Sequence, residues 1–96
     1  DDRMHGQELN EAFSLIIEVQ GQEEIDHYWN ELVRGGEPGQ CGWLKDEFGV
    51  SWQVFPAELG QMLQSSDPER VARVTNVFLA MQKFDLGELQ AAFEGS

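Results

Sequence analysis

Cysteine and histidine are nearly absent from this chain, which has one Cys and two His among its 96 residues. A single cysteine cannot form an internal disulfide, which fits a cytoplasmic protein. The chain has no His-x-x-x-His pattern and no Cys/His cluster, so a metal site built from it alone would rely on carboxylates and bind weakly. We expect His5, in a polar N-terminal stretch, and His27, on the polar side of a predicted helix, to be solvated.

Positive charge is also scarce, because only 6 Lys and Arg accompany 18 Asp and Glu, and the formal net charge is −12. This charge repels phosphate backbones and anionic lipid, so we expect no nucleic-acid partner and no membrane partner. No apolar run approaches the roughly 18 residues that span a bilayer. The polar beginning of the chain predicts no signal peptide, and we expect a cytoplasmic location.

A glycine-rich phosphate loop is missing as well, because Gly35 and Gly36 end a helical pattern instead of opening one. What remains is typical of one small globular domain, since 41% of the residues are hydrophobic. We expect residues 1–11 to form a flexible arm of this domain.

The first half of the chain predicts a strand over 13–20 and a helix over 22–34. Alternation places Leu15, Ile17 and Val19 on one strand face. The other strand face carries Ser14, Ile16 and Glu18. The helix has acidic residues in its first turn and a glycine pair at its end. Its apolar stripe consists of Ile25, Tyr28, Trp29, Leu32 and Val33.

A hairpin over residues 40–56 is the most specific signal, with strands predicted at 42–46 and 50–56 and a further short strand near 37–40. The turn Asp46-Glu47-Phe48-Gly49 separates the strands, and Pro56 ends the second one. Val50, Trp52 and Val54 form an apolar face that we expect to meet the helices. The opposite face of that strand mixes polar and aromatic groups, which is typical of a ligand cavity. The residues predicted for the core are Leu15, Ile17, Val19, Ile25, Trp29, Leu32, Trp52 and Val54.

Three helices are predicted after the hairpin. The first runs from Pro56 to about Ser65. The second begins at Asp67-Pro68, an N-cap followed by a proline at the first helical position. The third begins at Asp85, with Glu88 three residues later as in a capping box. Their apolar side chains form more stripe than one small sheet readily buries, which predicts an interface. They are Val71, Val74, Phe78, Leu79, Met81, Leu86, Leu89 and Phe93.

Two residues of the hairpin leave alternatives open. Cys41 is either a partly buried free thiol or a nucleophile activated by a positive neighbour such as Lys45. Lys45 is either an ordinary surface lysine or the contact for a carboxylate such as Glu18 or for an anionic ligand. Strand alternation predicts one concave surface that carries the candidate ligand-binding residues. They are Glu18, Cys41, Trp43, Lys45, Ser51, Gln53 and Phe55.

A family resemblance extends over residues 12–93. The segments that carry it are Glu23-Glu24-Ile25-Asp26-His27-Tyr28-Trp29, Gly35-Gly36, Gln40-Cys41-Gly42-Trp43-Leu44-Lys45-Asp46, Phe48-Gly49 and Ser51-Trp52-Gln53. They resemble the PhnB-like branch of the vicinal oxygen chelate superfamily, the group of glyoxalases, bleomycin-resistance proteins and extradiol dioxygenases such as dihydroxybiphenyl dioxygenase. This branch is often labelled a demethylubiquinone methyltransferase domain. The sequence has no Gly-rich nucleotide-binding turn that would support methyltransferase activity.

The resemblance implies an α+β fold: a glyoxalase-like βαβββ module at 12–56 with a curved, antiparallel-rich sheet, its helix on the convex side, followed by a C-terminal helical segment at 57–96 in the same domain. Family members usually carry two modules that enclose a cavity, and this chain resembles only the second. Superfamily enzymes hold a divalent metal with a His on the first strand and a Glu on the last. The matching positions here are about Ser14 and Gln53, which are poor metal ligands, so no cofactor and no tightly held metal are expected.

Three functions remain open at this point. The leading interpretation is a PhnB-like small-molecule binding protein whose cavity is completed by a homodimer or by another βαβββ module. The rival is a metal-dependent enzyme of the same superfamily, of the lyase, dioxygenase or resistance-protein type, whose metal site a partner chain completes. The third is a purely structural dimer or a remnant of a longer gene.

Overall fold

The computed structural model describes residues 14–95, so the predicted arm at 1–11 lies outside the described residues. The fold is α+β, with a curved, unclosed four-stranded sheet and four helices. The elements in chain order are β1 (Ser14–Val19), α1 (Gly21–Val33), β2 (Glu37–Pro38), β3 (Trp43–Lys45), β4 (Ser51–Pro56), α2 (Ala57–Leu63), α3 (Pro68–Phe78) and α4 (Leu86–Glu94). Each predicted strand and helix is present, with ends that differ by a few residues.

The strands lie side by side in the order β1-β4-β3-β2. The β1 and β4 strands are parallel, which requires a long crossover, and α1 lies in the segment between them. The two hairpin pairs, β2 with β3 and β3 with β4, are antiparallel. As a result β1 is an edge strand whose outer side has no partner within residues 14–95.

One sheet face packs against α1 and holds part of the core. Val54 in β4 and Ile25 in α1 are fully buried, and Trp29 is nearly so. Trp52 is half-buried on the same face. The predicted strand register is therefore confirmed, because a slip of one residue would have turned Val54 and Trp52 to solvent.

Leu15 is an exception to the predicted core, because 46% of its surface is exposed. It lies near the beginning of the edge strand, where no neighbouring strand covers its outer side. Alternation identified the correct face for Leu15 but could not show that this part of the face is uncovered. Tyr28, predicted to lie in the stripe of α1, is also exposed at 37%.

The three C-terminal helices fold back onto the sheet and share its core. Val74 in α3 and Leu89 in α4 are fully buried in the same cluster as Val54. The predicted caps are confirmed, since the Asp67 carboxylate accepts from the Glu69 backbone N–H and that of Asp85 accepts from Glu88. The apolar stripe packs largely within the chain, and the interface expected from it stays a prediction. Within the described residues, Leu79, 55% exposed, is the one member of the stripe that stays largely exposed.

Phe84, in the connection between α3 and α4, packs this connection against the sheet. Its side chain is 1% exposed, and its ring meets Phe55 and Phe78 edge-on at centroid distances of 6.1 and 6.2 Å. A Cβ atom on Gly42 would lie 2.5 Å from the Phe84 ring, and Gly42 has a φ of +79°. Only glycine can therefore occupy this position without a rearrangement.

None of the helices described is both long and apolar enough to cross a membrane.

Candidate functional site

The sheet face opposite α1 brings the sequence-predicted site residues together. Ser51, Gln53 and Phe55 alternate along β4, so their side chains share this face. In the pairing register, Phe55 is opposite Glu18 in β1, and Gln53 is opposite Trp43 in β3. Ser51 is opposite Lys45. We call this surface the open face and define it by Ile16, Glu18, Trp43, Lys45, Ser51, Gln53 and Phe55.

The open face is covered at one end and accessible elsewhere. The Phe84 ring packs against Phe55 at the covered end. Towards the other end Lys45 is exposed, and Trp43, Ser51 and Gln53 are half-buried. Glu18 is opposite Phe55 and is exposed on the edge strand. The face thus combines an aromatic ring, amide and hydroxyl groups and two opposite charges, a set of groups that can bind a small organic molecule.

Ile16 belongs to the open face and was missed as a candidate. Its register partner is Gln53, and 65% of its surface is exposed. The alternation of β1 had already placed Ile16 beside Ser14 and Glu18, so the signal was in the sequence. An exposed isoleucine on an edge strand marks a surface that a partner or ligand can cover.

Cys41 does not lie on the open face with Trp43 and Lys45. The expected regular pairing was wrong there, because β3 begins only at Trp43 and Cys41 sits in the preceding turn with a φ of 57°. Its half-buried Sγ lies 3.8 Å from the Leu79 carbonyl oxygen and packs against the core. The structure therefore places the thiol beside the end of α3, in agreement with the partly buried free thiol that the sequence left open.

The predicted contact between Lys45 and Glu18 was also wrong. Lys45 lies in β3 and Glu18 in β1, with β4 between them. Ser51 pairs with both Lys45 and Ser14, and Glu18 is four residues further along β1. The acidic residue next to Lys45 in the register is Glu37 of β2, which the sequence did not single out. Opposite charges on directly paired residues stabilise the pairing of their two strands, here β2 and β3.

The two positions that the resemblance matches to the superfamily's metal ligands carry Ser14 and Gln53, neither of which offers a carboxylate or an imidazole. Two oxygen ligands of one divalent ion lie within roughly 4 Å of each other, since each is about 2.1 Å from the metal. Gln53 pairs with Ile16, whereas Ser14 pairs with Ser51, so Ser14 and Gln53 are two register positions apart, roughly 7 Å along the strands. The Gln53 amide nitrogen already donates to the Cys41 carbonyl oxygen at 2.8 Å. These residues do not fit the metal of the superfamily enzymes.

The strand order, the single crossover helix and the hairpin can be compared with known proteins. A family model described as 3-demethylubiquinone-9 3-methyltransferase matches residues 2–55, more than half of the chain. The chain belongs to this family. It is the PhnB-like family with the glyoxalase fold, so the resemblance seen in the sequence is confirmed. A search of curated proteins found no match.

The family match ends at Phe55, so it covers β1 to β4 and not the C-terminal helices. The whole open face lies inside the matched segment. Phe84, which covers one end of that face, lies outside it. The family therefore accounts for the sheet and for the position of the open face. The tertiary packing shows in addition that the C-terminal segment covers one end of the open face.

A second concavity lies between α2 and α4, with a volume of about 280 Å³. It is lined by Glu58, Gln61, Met62, Gln90, Phe93 and Glu94. Glu58 also has a structural role, because one of its carboxylate oxygens accepts from the Gly21 backbone N–H at the first residue of α1. A carboxylate at a helix N-terminus is stabilised by the helix dipole. None of the residues that line this concavity was a candidate from the sequence.

Proposed function

We propose that this chain is a PhnB-like small-molecule binding module whose cavity is completed by a second copy of the same chain. The observation that carries the proposal is the open face itself. It presents Trp43, Lys45 and Gln53 together, and it is covered at the Phe55 end but accessible at the other.

The composition of the open face suits an organic ligand with an apolar body and a polar group. Trp43 and Ile16 lie on either side of Gln53 in the register and offer apolar surface. Lys45 is an exposed cation on a chain with a net charge of −12. Among the described residues, Lys45 is the one cation on the open face. The proposal therefore favours a small ligand with an acidic or strongly polar group, held by Lys45 over Trp43.

The edge strand β1 supports the proposal that a second copy of the chain binds. Within residues 14–95 no other strand pairs with the outer side of β1, and its side chains Leu15 and Ile16 are 46% and 65% exposed. Proteins usually cover such an edge or pair it with another strand. A two-fold pair through β1 would cover both edges with one self-complementary contact. Such a pair would also place the two open faces next to each other.

The molar mass in solution tests the second copy. Light scattering at micromolar protein and about 0.15 M salt, near physiological ionic strength, should give a dimer. Ile16→Lys should give a folded monomer, because it puts a charge into the apolar contact. The matched control is Leu79→Lys, which changes another exposed apolar residue outside β1 and should remain dimeric. A folded wild-type monomer at this concentration would refute the proposal.

Thermal-shift screening against a panel of small organic acids tests the binding face. An acid that stabilises the wild type should lose its effect in Trp43→Ala and in Lys45→Ala. Tyr28→Ala is the control, because Tyr28 is partly exposed on α1, which packs against the other side of the sheet. Stabilisation that survives both open-face substitutions would place the site elsewhere, for example in the concavity between α2 and α4.

A further inference from the structure

Gln53 makes a hydrogen bond that a glutamate at the same position could not make. Its Nε2 donates to the Cys41 carbonyl oxygen at 2.8 Å. A carbonyl oxygen only accepts, and an ionised carboxylate also only accepts. A hydrogen-bond donor is therefore needed here, because an ionised carboxylate would bring two acceptors together at the same distance. The resemblance to the superfamily matches Gln53 to the position of the metal-binding glutamate.

The carbonyl group that Gln53 binds belongs to a strained turn. Cys41 has a φ of 57°, in the left-handed region that a residue other than glycine seldom adopts. Such a conformation costs on the order of 1 kcal/mol or more and persists only where surrounding contacts hold it. We call residues Gln40, Cys41 and Gly42 the Cys41 turn. Its conformation thus needs stabilising partners, and Gln53 is one of them.

The Cys41 turn connects the C-terminal segment to the sheet. The Cys41 N–H donates to the Met81 carbonyl oxygen at 2.7 Å, and the Gly42 N–H donates to that of Gln82 at 2.8 Å. On the sheet side, the Val54 N–H donates to the Gly42 carbonyl oxygen at 2.9 Å. The first two of these bonds hold Met81 and Gln82, which lie three and two residues before Phe84 in the chain. They hold the chain so that the Phe84 ring reaches Phe55.

We infer that Gln53 is a positioning residue that locks the Cys41 turn, and that a residue in this role does not serve as a metal ligand. The lock keeps the Met81–Phe84 segment over the covered end of the open face. A glutamate at residue 53 would then break the lock without creating a metal site, because its register neighbours Ile16 and Trp43 offer no metal ligand. This inference is independent of whether the open face binds a small molecule.

Amide hydrogen exchange measured by NMR tests the lock. Gln53→Leu keeps the approximate size of the side chain and removes the donor. The Cys41 and Gly42 amides should then exchange about tenfold faster or more, the effect of losing a hydrogen bond and leaving its acceptor unpaired. The Trp29 amide, inside α1, reports global opening and should change much less. Gln40→Leu is the matched control, because Gln40 is exposed in the same turn, and it should leave all three rates unchanged.

Two results of the exchange experiment would overturn the inference. One is unchanged exchange of the Cys41 and Gly42 amides in Gln53→Leu, which would show that the other contacts hold the turn. The other is an equal increase at Trp29, which would show that Gln53 supports the whole fold and not this turn.

Gln53→Glu tests the claim about metal, and it does so even if Gln53→Leu fails to fold. Thermal unfolding is measured at neutral pH with and without Zn²⁺, Ni²⁺ or Mn²⁺. The variant should unfold at a lower temperature than the wild type, and none of the three ions should raise that temperature. Saturable stabilisation of Gln53→Glu by any of them would overturn the inference, as would an unfolding temperature equal to that of the wild type.

Discussion

At the scale of single residues, Asp46 organises the β3–β4 turn to an extent that its position alone did not reveal. Its Oδ1 accepts from the Phe48 and Val50 backbone N–H groups at 2.9 and 3.0 Å, and its Oδ2 accepts from the Trp52 indole at 2.9 Å. The Trp52 bond is the main reason that the pKa of Asp46 lies below its ordinary value; desolvation opposes this shift, and the backbone N–H groups add to it. These bonds favour the ionised form of the carboxyl group.

We expect this carboxylate to make the fold sensitive to acid. Because the pKa of Asp46 is lower in the folded state than in the unfolded state, its contribution to stability is present above about pH 4 and is lost as the pH falls through the folded pKa. The free energy of unfolding, measured by urea titration between about pH 5 and pH 3, should therefore fall more steeply for the wild type than for Asp46→Asn. The acid-sensitive Asp26, whose pKa is lowered mainly by Gln22 and also by Lys83, is present in both proteins and cancels in the comparison.

Trp52→Phe is the informative companion variant for Asp46. It preserves an aromatic ring and removes the indole N–H, the largest cause of the lowered pKa. The decrease of its unfolding free energy with falling pH should be intermediate between those of the wild type and Asp46→Asn. Equal slopes for the wild type and Asp46→Asn would show that the turn does not depend on the ionised carboxylate.

At the scale of elements, the connection between α3 and α4 joins the C-terminal helices to both α1 and the sheet. Gln22 of α1 donates to the Phe84 carbonyl oxygen and accepts from the Leu86 backbone N–H, at 3.0 and 2.8 Å. Lys83 forms a 2.9 Å ion pair with Asp26, which contributes little because both side chains are substantially exposed. The connection is thus attached to the first turn of α1 by polar contacts and to the sheet by the Phe84 ring.

Phe84→Ala should lower the free energy of unfolding by about 3–5 kcal/mol, as large-to-small changes of buried phenylalanine do. Phe48→Ala is the matched control, because Phe48 is 82% exposed in the β3–β4 turn, and it should change stability by no more than about 0.5 kcal/mol. Urea or thermal unfolding of the two variants gives the comparison. Similar effects from both substitutions would contradict the role assigned to Phe84.

At the scale of the whole molecule, the net charge of −12 opposes the proposed pairing of two copies. Two such chains repel each other over roughly 30 Å at about 0.01 M salt but over only about 3 Å at 1 M. The proposed contact through Leu15 and Ile16 would be apolar, and screening would not weaken it. Association should therefore depend on salt in the opposite direction to that of an interface built from ion pairs.

We expect the dimer dissociation constant to fall as NaCl is raised from about 0.01 M to about 1 M, measured by sedimentation velocity. Glu18→Gln should tighten the dimer at low salt and flatten this dependence, because Glu18 is an exposed acid on the edge strand. Dissociation promoted by salt would instead indicate an interface held by ion pairs.

The elements and the family of this protein were determined by its sequence. The caps at Asp67 and Asp85, the alternation of β4 and the turn at Asp46 act over a few residues, so local patterns predicted them. The alternation also predicted that Glu18, Trp43, Lys45, Ser51, Gln53 and Phe55 share one face, because a strand has a strict period of two.

Tertiary packing decided what those patterns could not express. Phe84 lies between two helices without a periodic pattern, so nothing local predicted that it would be buried against Phe55 and close to Gly42. Leu15 faces the helix side but lies on an uncovered edge, since exposure depends on which strands are neighbours. Cys41 leaves the strand face because its turn bonds to residues about 40 positions later in the chain. Such contacts join distant residues, and only the folded chain brings them together.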